Sequence, residues 1–264
     1  MKNIVITGGT SGVGLAIARD LAASGHRLII VGRNLVRGES VANTLGNNTN
    51  FVAGDLTTDE GRGKVVNFIK KSMPMIDVLF LSAGIYPKSS TENIQANLTS
   101  HYYLTKSLED RLAGGRILIV TGLPTAIQWL PINSGQQTVL QRSAWILTHK
   151  TLLMTYLSHQ LHSKRISVNS FFPGDVNSRL MPYTMGLSNQ KVPVGKTLAL
   201  SPSFAGVTGR FFDENGQEIL LNQSKYNYNQ AQINQSKYNY NQAQINLSKY
   251  NYNQAQINLS KYFQ

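Results

Sequence analysis

Short apolar runs alternate with longer amphipathic stretches along most of the chain. Residues 3–7 form a β-rich run, residues 14–23 place Leu15, Ala18, Leu21 and Ala22 on one helical face, and residues 27–31 form a second strand. Further apolar runs at 51–53, 78–82, 117–121 and 166–171 predict strands, separated by helix-like stretches such as 63–71, 94–108 and 144–161. Strands that are apolar throughout, set between helices, bury both faces. They predict an α/β fold, a doubly wound parallel sheet covered by helices on each side in three layers.

The pattern changes near Leu221. From Ser224 the unit SKYNYNQAQINQ is followed by SKYNYNQAQINL twice and then by the fragment SKYFQ. The division predicted is a globular body over residues 1–221 and a low-complexity repeat tail over 222–264. Asn, Gln and Tyr dominate the tail and large aliphatics never cluster, so composition predicts disorder, because too little apolar surface is buried to offset the ordering entropy. Two other readings stand beside it. Tyr226/Tyr228 and Ala231/Ile233 alternate as in short strands that stack as a solenoid or pair between chains, and Tyr226, Ile233, Tyr240 and Leu247 recur at seven-residue intervals, as in a helical extension or a docking tail.

The chain has 264 residues, with material for one sizeable core. Its formal charge is +12, of which the four tail lysines supply +4, and a positive surface attracts anions without naming one. The body's cations are spread out, so no specific nucleic-acid partner is expected. With no cysteine, disulfides, thiolate metal sites and cysteine nucleophiles are excluded. Carboxylates and histidines do not cluster at ligand spacing, so no metal is expected. The apolar run after Lys2 is too short for a secretory leader and no stretch approaches a membrane span, which leads to the expectation of a cytoplasmic protein without a membrane partner.

The first strand enters Thr7-Gly8-Gly9-Thr10-Ser11-Gly12-Val13-Gly14, and a helix follows at once. Glycines in such a turn let main-chain amides approach a pyrophosphate, and the helix start adds partial positive charge. The second strand ends in Gly32-Arg33-Asn34. Where many dinucleotide sites hold a ribose with an acid, Arg33 offers a guanidinium that suits a 2′-phosphate, so NADP(H) is the expected cofactor.

With these residues in view, residues 1–215 resemble the short-chain dehydrogenase/reductase family, whose fold is a Rossmann-like three-layer sandwich. TGGTSGVG resembles the family's glycine-rich turn, which implicates Gly8, Thr10, Ser11, Gly12, Val13 and Gly14 with Arg33 and Asn34. Gly54-Asp55-Leu56 resembles the segment that contacts the adenine, and Ser82-Ala83-Gly84 resembles the strand end beside the cofactor. Asn97 resembles the asparagine of the catalytic tetrad, and Pro173-Gly174 the turn near the nicotinamide. The rest of the tetrad departs from the pattern. Gly122 occupies the serine position with Thr121 before it, and ungapped counting back from Pro173 puts Ser143 at the tyrosine and Leu147 at the lysine. Lys150 and His149 lie one turn further on, and Tyr156 lies too far along.

The resemblance therefore implies an NADP(H)-dependent oxidoreductase with a rebuilt proton-transfer site, for which Asn97, Thr121 and Tyr183 are the catalytic candidates. Tyr86, His101 and Tyr102 are weaker ones, with packing or surface roles the simpler account, and His149, His159 and His162 are expected to face solvent. Two alternatives remain: a non-redox cyclase or isomerase that keeps the nucleotide as a pocket wall, and a non-catalytic nucleotide-binding sensor or partner protein. The weakly charged segment 174–209 suggests a small, fairly apolar substrate. Family members often pair through the helices after the fourth and fifth strands, and Trp145, Ile146, Leu152, Leu153 and Tyr156 supply surplus apolar surface for a homodimer or homotetramer.

Overall fold

The computed structural model describes residues 1–132 and 135–238, with side chains given as far as Ser236. Strands β1 (Asn3–Thr7), β2 (Arg27–Gly32), β3 (Thr49–Ala53), β4 (Val78–Leu81), β5 (Arg116–Val120), β6 (Ser167–Phe171), β7 (Phe211–Phe212) and β8 (Glu218–Ile219) form one sheet. Their order is β3-β2-β1-β4-β5-β6-β7-β8, parallel except for the β7–β8 pair. The chain starts in mid-sheet and winds outward in both directions, as a doubly wound fold does.

Side chains alternate across each strand, so two cores arise from one sheet. Ile4 and Ile6 of β1, Leu28 and Ile30 of β2, Phe80 and Leu118 pack under α1 (Gly12–Ala22), α2 (Leu35–Leu45) and α8 (Pro193–Leu200). Val5, Ile29, Val31, Leu79, Leu81, Ile117 and Ile119 face α3 (Asp59–Ser72), α5 (Ser100–Leu108) and α7 (Val139–Gln160). The predicted strands stand where the apolar runs lie, but several helices begin earlier than periodicity suggests, because caps fix their starts. Thr58 caps α3 through the amide of Gly61, and Thr138 and Gln141 form a capping box that opens α7 at Val139.

The helix expected over 94–108 is broken into α4 (Ser90–Ile94), a π-helical turn over Gln95–Thr99, and α5. Asn97 sits in that turn, and π turns often mark functional sites.

Composition misjudges the first repeat unit. Residues 222–225 turn onto the body, and α9 (Tyr228–Tyr238) packs on α7. Tyr226 and Ala231 are buried with Ile127 of α6 (Pro124–Trp129), Leu152 and Phe211, so the described part of the segment assigned to a disordered tail is ordered. The seven-residue spacing does not set the buried face of α9, since Ile233 is 61% exposed while Ala231, Asn234 and Gln235 are buried. The expectation for 239–264 lies outside the described residues. Trp145, Leu152 and Leu153 are fully buried within the chain, and Tyr156 packs against the chain's own Tyr228, so the apolar surplus that suggested pairing is absorbed internally.

Candidate cofactor and substrate site

The turn after β1 is built from main chain. Gly12 has φ +52°, and a Cβ there would stand 2.8 Å from Cβ of Ser178; one at Gly14 would stand 2.4 Å from the carbonyl oxygen of Gly8. Side chains are thereby excluded at both positions. Ser11 precedes α1 in extended conformation and its hydroxyl makes no cap, so the first-turn amides keep their donors free for an anion. Thr7 ties this turn to the end of β4: its hydroxyl accepts from the amides of Ser82 and Ala83, both at 3.0 Å, and donates to Phe80 O at 3.1 Å. Ser82 returns a hydroxyl bond to Thr7 O at 2.7 Å.

Around the cradle, Arg33 is exposed at the end of β2 and makes no ion pair with any described residue. Asn34 and Thr10 have structural duties the sequence did not reveal. Asn34 caps α2 by accepting from Arg37 N at 2.8 Å, and the Thr10 side chain lies against Gly32. One oxygen of Asp55 holds the amide and hydroxyl of Thr57 at 2.9 and 2.8 Å, and Leu56 is a core residue. Pro173 is buried, and Gly174 follows at φ +81°. A tight turn and uncapped amides fit the pyrophosphate of a nicotinamide dinucleotide.

The segment after Gly174 folds over the cradle. Asn177 donates to the carbonyls of Met185 and Leu187 at 3.0 and 2.7 Å, Ser178 and Thr184 share a hydroxyl bond of 2.9 Å, and Asn189 donates to Asp175 O. Leu180 reaches toward Gly84, where a Cβ would lie 3.7 Å from Leu180 Cδ1 and 3.0 Å from Asn97 Oδ1. Tyr183 is on the outside of this flap, 66% exposed, and the structure does not bring it to Asn97 or Thr121.

The amide of Asn97 is consumed by the scaffold. Its oxygen accepts from Ile85 N at 3.3 Å, and its nitrogen donates to Asn93 Oδ1 at 2.9 Å, while Asn93 donates to Arg142 O. The buried Arg142 clasps the carbonyls of Pro87, Gln136 and Gln137. This web holds the chain after β4 against the start of α7. The spacing of Asn93 and Asn97, one helical turn, was its only trace in the sequence.

At the end of β5, a Cβ on Gly122 would meet Leu147 Cδ2 at 2.3 Å, so leucine fills the space beside the position where the family's pattern has serine. Ser143, Leu147 and Lys150 share a helical face by spacing. The Lys150 ammonium donates to Val120 O at 3.2 Å, and burial lowers its pKa to about 8. The hydroxyls of Thr121 and Ser143 are buried without a hydrogen-bond partner among the described residues. His101 is buried between Ser100 and Leu81 O, and burial, with the Lys150 charge, lowers its pKa well below the ordinary value. His149 corrects an expectation: it is buried and stacked on Trp145, with Nδ1 2.7 Å from Trp145 O, whereas His159 and His162 are exposed as expected. Tyr102 is buried as well, and burial raises its hydroxyl pKa.

Among the described residues no group of acids and histidines could hold a metal, and no helix is long and apolar enough to cross a membrane.

Residues 2–129 match the family model described as short chain dehydrogenase. A solved short chain dehydrogenase/reductase family protein covers 81% of this chain and 96% of its own at TM-score 0.62 and 26% identity. The matched residues are just under half of the chain, and fold, cradle and matches together make its body similar to the short-chain dehydrogenases/reductases. Among curated relatives, the 3-oxoacyl-[acyl-carrier-protein] reductase FabG of Rickettsia prowazekii is 27% identical over 249 residues, 83% of this chain and 98% of that protein. A Pseudomonas aeruginosa RhlG/NADP active-site complex shares the fold at TM-score 0.65, with 22% identity over 80% of this chain and 94% of that one.

Proposed function

We propose that the protein is an NADP(H)-dependent oxidoreductase acting on a small, fairly apolar molecule through a rebuilt proton-transfer site. The observation that carries this reading is the pair of buried, unpartnered hydroxyls of Thr121 and Ser143 at the end of β5 and the start of α7. A buried hydroxyl without a partner is costly, and at this strand end a bound group would supply the missing partner. Arg33 and the first turn of α1 would hold the 2′-phosphate and pyrophosphate of NADPH, whose nicotinamide supplies the hydride when bound. Thr121 then donates a hydrogen bond to charge developing on the substrate, the proton that balances the hydride is taken from solvent water as product forms, and the Lys150 ammonium, with a pKa near 8, keeps positive potential at that strand end. Leu180 and the flap shield the reacting centre from water. An activated C=N or C=C bond needs less acid assistance than a ketone and suits this site best.

The contact of Leu147 with Gly122 favours a second reading, nucleotide binding without turnover, because an apolar side chain fills space beside the usual serine position. One assay separates the two. NADPH absorbance is followed with a panel of activated carbonyl, imine and enone compounds, on the protein and on Thr121→Val. Turnover that falls about a hundredfold in the variant supports the reductase. Tight NADPH binding with no consumption by any compound supports the second reading.

A further inference from the structure

The first repeat unit is held by a specific set of contacts. The ammonium of Lys225 donates to the carbonyls of Ile127 at 2.6 Å, Gln128 at 3.3 Å and Leu130, at the end of α6 where helical carbonyls lack intrahelical donors. Tyr226 is 2% exposed, and its hydroxyl donates to Ile127 O at 2.7 Å. Tyr228 stacks on His159 at 3.7 Å and accepts from Gln160 at 2.5 Å, while Ala231 is buried beside Ile127, Leu152 and Phe211.

Each of these residues recurs. Lys237, Tyr238, Tyr240 and Ala243 stand in the second unit where Lys225, Tyr226, Tyr228 and Ala231 stand in the first, and Lys249, Tyr250, Tyr252 and Ala255 in the third. We propose that the cleft between α6 and α7 is a receptor for the SKYNYNQAQIN unit, and that the second and third units of the same chain are alternative occupants in cis.

Two opposed effects nearly cancel, which favours exchange over a fixed first register. Docking the second unit lengthens the connection between Ile219 and the docked lysine from five residues to 17. Loop closure weakens as the three-halves power of length, so the longer connection costs only about sixfold in population. Acting the other way, Gln235 is 7% exposed, and its side-chain nitrogen has no partner among the described residues. The second and third units carry Leu247 and Leu259 at that position. A leucine there removes an unmade hydrogen bond worth roughly fivefold to a hundredfold, which offsets the loop. A unit from another molecule competes poorly, because tethered units act at an effective concentration on the order of millimolar.

The test uses the full chain. In one variant the first unit is broken by Lys225→Ala and Tyr226→Ser; in a second, Lys237, Tyr238, Lys249 and Tyr250 are changed in the same way as well. Amide hydrogen exchange is read at Ile127 and Leu130, which bond to Leu123 O and Ala126 O. Breaking the first unit alone is expected to lower protection by less than about tenfold, and breaking all three by roughly a hundredfold or more. Equal losses in the two variants would overturn the proposal, as would no loss in either. Protection in the first variant that rises with protein concentration would assign the occupant to a second molecule and overturn the cis assignment. If the second variant does not fold, an intact cleft in the first already supports exchange, and a cleft opened about a hundredfold there refutes it.

Discussion

The turn after β1 and the end of β5 lie at the same edge of one sheet, yet they are built by different means. The first is made by main chain: glycines admit no side chain, α1 leaves its first amides uncapped, and Thr7 fastens the turn to β4. The second is made by side chains, with Leu147 filling the space at Gly122, the Lys150 ammonium on Val120 O, and the hydroxyls of Thr121 and Ser143 buried on β5's end and α7's start. A main-chain cradle survives only if glycine and helix geometry survive, so its glycine pattern stays recognisable. A side-chain site can be replaced residue by residue without disturbing the sheet, so chemistry can drift while the fold stays.

The sharpest way to break that contrast is Gly14→Val. Its Cβ would sit 2.4 Å from Gly8 O, so the turn must open. Nucleotide affinity is expected to drop by about a hundredfold or more, read by fluorescence titration, and several degrees of Tm should go with it. Thr121→Val probes the other side. It removes a buried hydroxyl without a described partner, so Tm should hold or rise, while turnover falls about a hundredfold. A loss of both together would make Thr121 a structural residue.

Lys150→Met separates burial from chemistry by pH. The folded-state pKa of Lys150, about 8, lies below its ordinary 10.5, so between those values the unfolded chain holds the extra proton and raising the pH favours folding. Below about 8 both states are charged, and the full cost of burying the ammonium remains. Lys150→Met is therefore expected to be more stable than the parent near pH 7, by about 3 kcal/mol at most, with the difference closing toward pH 10.5. Denaturant unfolding across that range checks it. The smallest expected effect is Asn97→Leu, which takes the acceptor from Ile85 N and the donor from Asn93 Oδ1 and should lower stability by about 1–3 kcal/mol.

Much of the scaffold was readable in the sequence because it depends on local pattern. Apolar runs gave the strands of the sheet from β1 to β6, and the glycines between β1 and α1 marked the cradle. The parts that were not readable depend on partners distant in sequence. The π turn at Asn97 exists because its amide is held by Ile85 and Asn93, a web that Arg142 extends to the start of α7. His149 looked solvated by helical position but is stacked on Trp145 inside the core. Composition made the first repeat unit look disordered, since it counts aliphatics and overlooks Lys225 seated on the open carbonyls of α6. Tyr183 looked well placed by chain position, yet the flap's own hydrogen bonds turn it outward.

The most direct measurement is a titration of the full-length protein with NADPH and NADH, followed by nucleotide fluorescence, repeated with Arg33→Glu. Saturable binding of NADPH that the substitution weakens by roughly tenfold to a hundredfold, with NADH little affected, is the expected result. Binding of neither nucleotide would contradict the central claim that the cradle after β1 is a working dinucleotide site.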